Sequence, residues 1–191
     1  MKPSCLRTAK LLEGVTDDQL GGSTPCVKLT LGELIAHVGG LGLAFAAAAR
    51  KDFGELTGSP PGADGYLLVD DWRSQYPANL AQLAQAWRQP DGWAGMTRVG
   101  GVDLPGEVCA MVGLAEVVIH GWDVAVATGQ PYEVDDAVAN AVLTHVASFA
   151  ADGPVEGLFG PAVEIDSGAS VFDQALALSG RDPDWRPVGR D

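Results

Sequence analysis

Cysteine is scarce in this 191-residue sequence, and the three that occur, Cys5, Cys26 and Cys109, show neither C-x-x-C spacing nor a disulfide pattern. We therefore expect three reduced thiols. The N-terminal ten residues carry scattered charges and no apolar segment before a small-residue cleavage site, so no secretion signal is predicted. The longest apolar candidate span, 41–49, has about half the length that a bilayer requires. These absences predict a cytoplasmic protein with no membrane association.

Basic side chains are also scarce. Lysine and arginine together number 12 against 25 aspartates and glutamates, which gives a formal net charge of −13. Nucleic-acid phosphates and anionic membrane surfaces attract positively charged proteins, so the sequence argues against both as partners. Three functional signatures are missing as well: the G-x-S-x-G nucleophile motif, the phosphate-binding P-loop, and a G-x-G-x-x-G turn between a strand and a helix.

The composition and the spacing of apolar residues predict a mainly all-α protein. With 47% hydrophobic and 19% charged residues, the chain has the apolar content and the length for a single domain, which we assign to residues 1–191. Helical spacing of apolar residues recurs along most of the chain and predicts a bundle of four main helices, with a short first helix before them. A small hairpin, 97–104, is expected to turn at Gly100-Gly101. An extended segment, 159–165, and a last helix between Ser170 and Gly180 form a C-terminal extension.

Several helix ends are marked in the sequence. Thr30 and Glu33 form a T-x-x-E capping box, which predicts that a helix begins there. Within that helix Gly39, Gly40 and Gly42 each weaken the helix, so we expect them to serve a close helix contact or to leave room for a ligand. The other predicted helices are one within 5–15, one with Pro77 at its first turn or at a kink, one from 105–107 to 128–129, and one that begins at Asp135 or Asp136.

The clearest chemistry lies in the stretch from Gly113 to Ala125. Glu116 and His120 are four residues apart. On a helix their carboxylate and imidazole therefore lie one turn apart on the same face and can bind the same metal ion. The pair sits at the edge of an apolar stripe, where a lone carboxylate is costly to bury and a metal partner offsets most of that cost. The alternative is an ordinary surface pair worth about 0.2–0.5 kcal/mol, because any long helix offers such pairs by chance.

His37 lies within the apolar stripe of the helix that follows Thr30. It is either a hydrogen-bonded core histidine or a third metal ligand. Together with Glu116 and His120 it would make a set of two imidazoles and one carboxylate, which leaves coordination positions open and is typical of catalytic rather than structural zinc. His145, beside the inward face of a later helix, is interpreted as structural and outside this set.

Asp123 and Cys26 are two further candidates. Asp123 falls one turn after His120, where it either pairs with a basic side chain or caps the helix, or acts as an outer acceptor that orients a ligand, a bound thiol or water. Cys26 is either a buried inert thiol or a nucleophile, and nothing in the sequence indicates that its pKa is low. The role of Cys26 therefore stays open.

Several segments resemble a known family. They are Thr24-Pro25-Cys26, Leu34-Ile35-Ala36-His37-Val38, Ala115-Glu116, His120-Gly121-Trp122-Asp123-Val124-Ala125, Ala127-Thr128-Gly129 and Gly180-Arg181-Asp182-Pro183. Together they resemble the DinB-like metalloprotein superfamily and, within it, the N-terminal domain family of the actinobacterial mycothiol-dependent maleylpyruvate isomerase, as a single-domain member. Leu29 departs from the family, which commonly has tryptophan there. We also expect the C-terminal domain of the isomerase to have no counterpart in this chain.

The resemblance implies a DinB-like four-helix bundle and a divalent metal, usually zinc with nickel as the alternative, held by His37, Glu116 and His120. It also implies a low-molecular-weight thiol as co-substrate, because a metal can hold a thiol of pKa about 8.5 as a thiolate at neutral pH. We therefore expect a metal-dependent mycothiol-type S-transferase or isomerase, whose partners are a small-molecule thiol and an electrophile. The alternatives are a non-catalytic metal-binding or small-molecule-binding module and a zinc-dependent hydrolase. A homodimer is left open.

Overall fold

The computed structural model describes residues 1–60, 63–150 and 160–187, and 60% of these described residues are helical and 5% are in strands. The elements are α1 (Lys2–Glu13), a 3-10 turn (Asp17–Gln19), α2 (Leu31–Ala49), α3 (Glu55–Gly58), a 3-10 turn (Ala63–Tyr66), α4 (Trp72–Ala86), α5 (Pro90–Trp93), strands β1 (Met96–Val99) and β2 (Val102–Pro105), α6 (Gly106–Thr128), α7 (Asp136–Ala150) and α8 (Val171–Leu178). The predicted extended segment has its first residue outside the described residues, and 160–165 contain no regular element.

Four helices form a ring in which each packs against two neighbours. Helices α4 and α6 each contact both α1 and α2, and the facing side chains build one apolar core that includes Leu34, Leu80 and Val117. Helices α7 and α8 pack against each other and, through a second cluster that includes Val142 and Leu176, against another face of α6. The predicted mainly all-α fold with a small hairpin and a C-terminal extension is therefore confirmed.

The membership of the bundle differs from the sequence-based expectation. Helix α1, predicted as a short accessory helix, belongs to the ring of four because Cys5, Leu11 and Leu12 are buried in its core. Helix α7, predicted as a main helix, lies in the outer layer, where Val142 and Val146 face the second cluster. The reason is that periodicity reports an apolar face on a helix but does not report which neighbour covers that face.

The predicted helix and turn signals agree with the structure at most points. The Thr30 backbone N–H donates to a Glu33 carboxylate oxygen over 2.8 Å, and the Glu33 N–H donates to the Thr30 hydroxyl over 3.4 Å, which completes the capping box. Gly129 ends α6 in the left-handed region with φ 71°. The hairpin pairs β1 with β2 antiparallel and turns through Gly100 and Gly101, both with positive φ.

The two longest helices, α2 and α6, are the centre of the molecule. Both are long and apolar enough to cross a membrane, so the expectation that 41–49 is the longest apolar span was wrong. However, 67% and 78% of their most apolar windows are buried inside the fold, as expected of core helices. Gly39 and Gly42 let α2 approach α4 closely, because a Cβ at these positions would meet Tyr76 and Asn79. The space around Gly40 is open, so of the three glycines only Gly40 does not serve this contact.

Replacing Gly39 by alanine is expected to lower the free energy of unfolding by about 1–3 kcal/mol, because the new Cβ would overlap the Tyr76 ring. Gly40→Ala is the matched control: nothing lies within 4 Å of its added Cβ, and the higher helix propensity of alanine predicts stabilisation by up to about 1 kcal/mol. Urea unfolding followed by circular dichroism measures both values. Equal effects of the two substitutions would contradict the close packing of α2 on α4.

Candidate metal centre

The contact between α2 and α6 brings together the three residues singled out as metal ligands in the sequence. The Nε2 atom of His37 lies 3.6 Å from Oε2 of Glu116, and Nε2 of His120 lies 3.3 Å from the same oxygen. One ligand atom from each of the three side chains lies within 4.8 Å of the other two. Two imidazoles and one carboxylate therefore converge, one from α2 and two from consecutive turns of α6.

These separations fit the chemistry of a shared ion. Metal–ligand bonds of about 2.0–2.1 Å at tetrahedral angles place two donor atoms about 3.3–3.4 Å apart. The two measured nitrogen–oxygen distances, 3.3 and 3.6 Å, are close to that value. A set of two imidazole nitrogens and one carboxylate oxygen suits zinc and neighbouring divalent ions such as nickel. The donor set therefore fits a divalent transition metal.

The three side chains are largely buried but keep an opening to solvent, with exposed fractions of 15% for His37, 13% for Glu116 and 8% for His120. Burial alone would raise the pKa of the Glu116 carboxyl, but hydrogen bonding and charge from His120 and His37 outweigh it and hold that pKa well below its usual range. Burial alone would lower the pKa of His120, but Asp123 and Glu116 outweigh it and raise the pKa to about 9. A metal ion bound to Nε2 of His120 would replace the proton that this nitrogen carries in the protonated ring.

Asp123 supports His120 from the side away from Glu116. Its carboxylate is fully buried, and Oδ2 lies 2.9 Å from Nδ1 of His120. Arg181 donates to the same oxygen over 3.2 Å. Asp123 therefore pairs with a basic side chain, one of the roles considered for it, and also accepts a hydrogen bond from the histidine. A proton held on Nδ1 leaves the Nε2 lone pair facing Glu116 and His37.

Arg181 is a site residue whose role the sequence did not indicate. It follows Gly180, which has φ 83°, directly after α8, and it is 7% exposed. Its guanidinium also donates to the Ser179 carbonyl oxygen over 3.0 Å. A buried carboxylate without a partner is strongly unfavourable, and Arg181 supplies that partner from 58 positions away. In the sequence, Arg181 was marked only by its place in the Gly180–Pro183 motif, and that motif did not indicate what its side chain contacts.

Two more side chains line the centre. The Tyr66 ring stacks on His37, with centroids 5.5 Å apart and planes 18° from parallel. The Cys26 sulfur lies within 4.8 Å of ligand atoms of His120 and Asp123. Burial raises the pKa of this half-buried thiol, although the nearby Arg181 guanidinium acts in the opposite direction. Neither position could be read from the sequence, because Cys26 lies on a loop and Tyr66 ends a short 3-10 turn, and neither has a periodic pattern.

The remaining candidates lie elsewhere. His145 packs edge-on against Phe149 at 5.0 Å, and burial lowers the pKa of its imidazole. Among the residues that the structure describes, His145 belongs to neither group of converging ligand atoms. All three cysteines are free, and Cys5 and Cys109 are buried in the apolar core.

Comparison with known proteins identifies relatives. Residues 2–125 match the family described as the mycothiol maleylpyruvate isomerase N-terminal domain. Two uncharacterized proteins of Mycobacterium tuberculosis, one from strain CDC 1551 / Oshkosh and one from strain H37Rv, are each 32% identical over 131 residues. The alignment covers 69% of this chain and 66% of each relative, so the chain spans just under two thirds of their length.

Solved structures show the same fold. The crystal structure of the mycothiol-dependent maleylpyruvate isomerase aligns with a TM-score of 0.70 at 20% identity, over 96% of this chain and 87% of that chain. A point mutant of an isomerase of that name aligns with a TM-score of 0.63 at 21% identity, over 82% and 71%. Because the family model matches residues 2–125, well over half of the chain, the chain belongs to the mycothiol maleylpyruvate isomerase N-terminal domain family.

Proposed function

We propose that this protein is a divalent-metal-dependent enzyme that acts on a low-molecular-weight thiol of the mycothiol type, as an S-transferase or an isomerase. The observation that carries the proposal is the convergence of His37, Glu116 and His120 at separations suited to one shared ion. Membership of the family supports a thiol as co-substrate. The opening at the centre supports access for a small molecule.

His37, Glu116 and His120 would hold the ion, and zinc suits their donor atoms. When bound, the ion supplies a positive charge that keeps a thiol deprotonated at neutral pH. Two neutral imidazoles and one carboxylate carry one negative charge in total. A divalent ion held by them would therefore keep a net charge of about +1, which attracts a thiolate. Asp123 keeps His120 oriented through Nδ1, and Arg181 holds the buried Asp123 carboxylate in place through a contact of 3.2 Å.

The state of Cys26 supports an external thiol as the nucleophile. Burial raises the pKa of Cys26 above its usual value, which disfavours its thiolate form. A protonated thiol is a poor nucleophile. The attacking sulfur is therefore assigned to the co-substrate, and Cys26 forms part of the wall beside His120 and Asp123.

Single replacements of His37, Glu116 or His120 by alanine are each expected to remove most of the bound metal, because two remaining ligands bind an ion weakly. His145→Ala is the control and should retain the metal, since His145 lies outside the converging group. Metal content of tag-free protein by mass spectrometry gives the occupancy. Circular dichroism should show the wild-type helix content in every variant and after chelation. Full occupancy in His120→Ala would refute the ligand set.

Asp123→Asn is expected to weaken metal affinity by about 10- to 100-fold, because the acceptor that orients His120 becomes neutral. The substitution also leaves Arg181 without its buried counter-charge, so it will destabilise the fold. Leu176→Ala is the matched control, since it removes a fully buried side chain from α8 and should destabilise the protein without changing affinity. If Asp123→Asn kept both wild-type affinity and wild-type activity, Asp123 would serve only to pair with Arg181.

The activity itself is tested with the zinc-loaded protein, a panel of cellular thiols that includes mycothiol, and monochlorobimane as a general electrophile. We expect conjugation above the spontaneous rate that disappears on chelation and in Glu116→Ala. Absence of metal-dependent conjugation and of metal-dependent isomerisation with every thiol would favour a non-catalytic binding module. Turnover of esters or amides without any thiol would instead favour a hydrolase.

A further inference from the structure

Tyr66 is held beside the centre by the segment that carries it. The 3-10 turn Ala63–Tyr66 packs against α2. Just after the turn, Leu68 lies against Gly32 of α2, where an added Cβ would approach the leucine to 3.3 Å. The Val69 N–H then donates to the Tyr76 hydroxyl of α4 over 3.4 Å. These contacts fix the segment on the bundle and leave Tyr66 half-buried over His37.

The two histidines of the centre are held in different ways. The ring of His120 is fixed through Nδ1 by Asp123, which Arg181 holds in turn. Among the described residues, His37 has no contact at Nδ1 like the one that Asp123 makes with Nδ1 of His120. His37 has an ion-pair contact to Glu116 at 3.6 Å, an edge contact to the His120 ring at 5.1 Å, and the nearly parallel stack of Tyr66. The stack is the contact that covers a face of this imidazole.

We propose that Tyr66 is a positioning residue for His37, whose stacked ring keeps the Nε2 atom of that histidine aimed at Glu116. Rotation of an imidazole about its last side-chain bond is broad when nothing restrains it. A flat aromatic surface parallel to the ring restricts that rotation. Metal binding to a restrained imidazole costs less conformational entropy of the side chain than binding to a ring that must first be ordered. The inference rests on the proposed function only where metal affinity is used to measure the effect.

The first measurement is the affinity for Zn²⁺ alone, by competition with a chromophoric chelator. Tyr66→Leu removes the aromatic face and should weaken binding by about two- to tenfold, as expected from the strength of one aromatic pair. Tyr66→Phe keeps the ring and should bind as the wild type does. Leu67→Ala is the matched control: Leu67 is the next residue in the same segment and is 64% exposed. Its affinity should be unchanged.

The second measurement does not need a metal. In the chelated protein, the order parameter of the His37 ring from carbon relaxation should fall in Tyr66→Leu and stay at the wild-type value in Tyr66→Phe and Leu67→Ala, with circular dichroism unchanged throughout. Failure of the wild type to bind Zn²⁺ would refute the proposed function, while the ring order parameter would still decide the role of Tyr66. Wild-type affinity or an unchanged His37 order parameter in Tyr66→Leu would overturn the inference, as would equal loss in Tyr66→Phe.

Discussion

The burial of two carboxylates on one helix is the constraint on which the rest of the centre depends. Glu116 and Asp123 stand on α6, and neither can remain charged inside the fold without partners. Glu116 has the imidazoles of His37 and His120, while Asp123 has His120 and the guanidinium of Arg181. His120 serves both carboxylates through its two ring nitrogens. The pairing therefore joins α2, α6 and the segment after α8 into one electrostatic unit.

Close helix packing places His37 at the right distance for this unit. Gly39 and Gly42 bring α2 against α4, and on its other side α2 meets α6 where a Cβ at Gly113 would lie 2.8 Å from the Phe45 ring. Side chains at these glycines would push the helices apart, and the donor atoms would separate with them. The small residues that weaken α2 and α6 as isolated helices thus allow the donor atoms of His37, Glu116 and His120 to converge.

The parts of this structure that sequence could predict are those set by local spacing. The capping box of Thr30, the Gly-Gly hairpin and the four-residue spacing of Glu116 and His120 all depend on residues within one or two turns. The approach of Arg181 to Asp123 and of Tyr66 to His37 depends on how distant segments pack, which no local pattern encodes. For the same reason periodicity did not show that α1 belongs to the ring of four helices and α7 to the outer layer.

The position of the centre follows from the way α6 is shared between two apolar layers. Val117 and Val124 point into the core of the four-helix ring, while Val118, Ile119 and Trp122 point into the cluster with α7 and α8. Glu116, His120 and Asp123 lie on one narrow strip along the helix. This strip runs between the face that packs into the four-helix ring and the face that packs against α7 and α8. Neither apolar cluster covers it. The seam between the layers is therefore where polar side chains can be buried together with an opening to solvent, and a helix packed on one side only would not create such a seam.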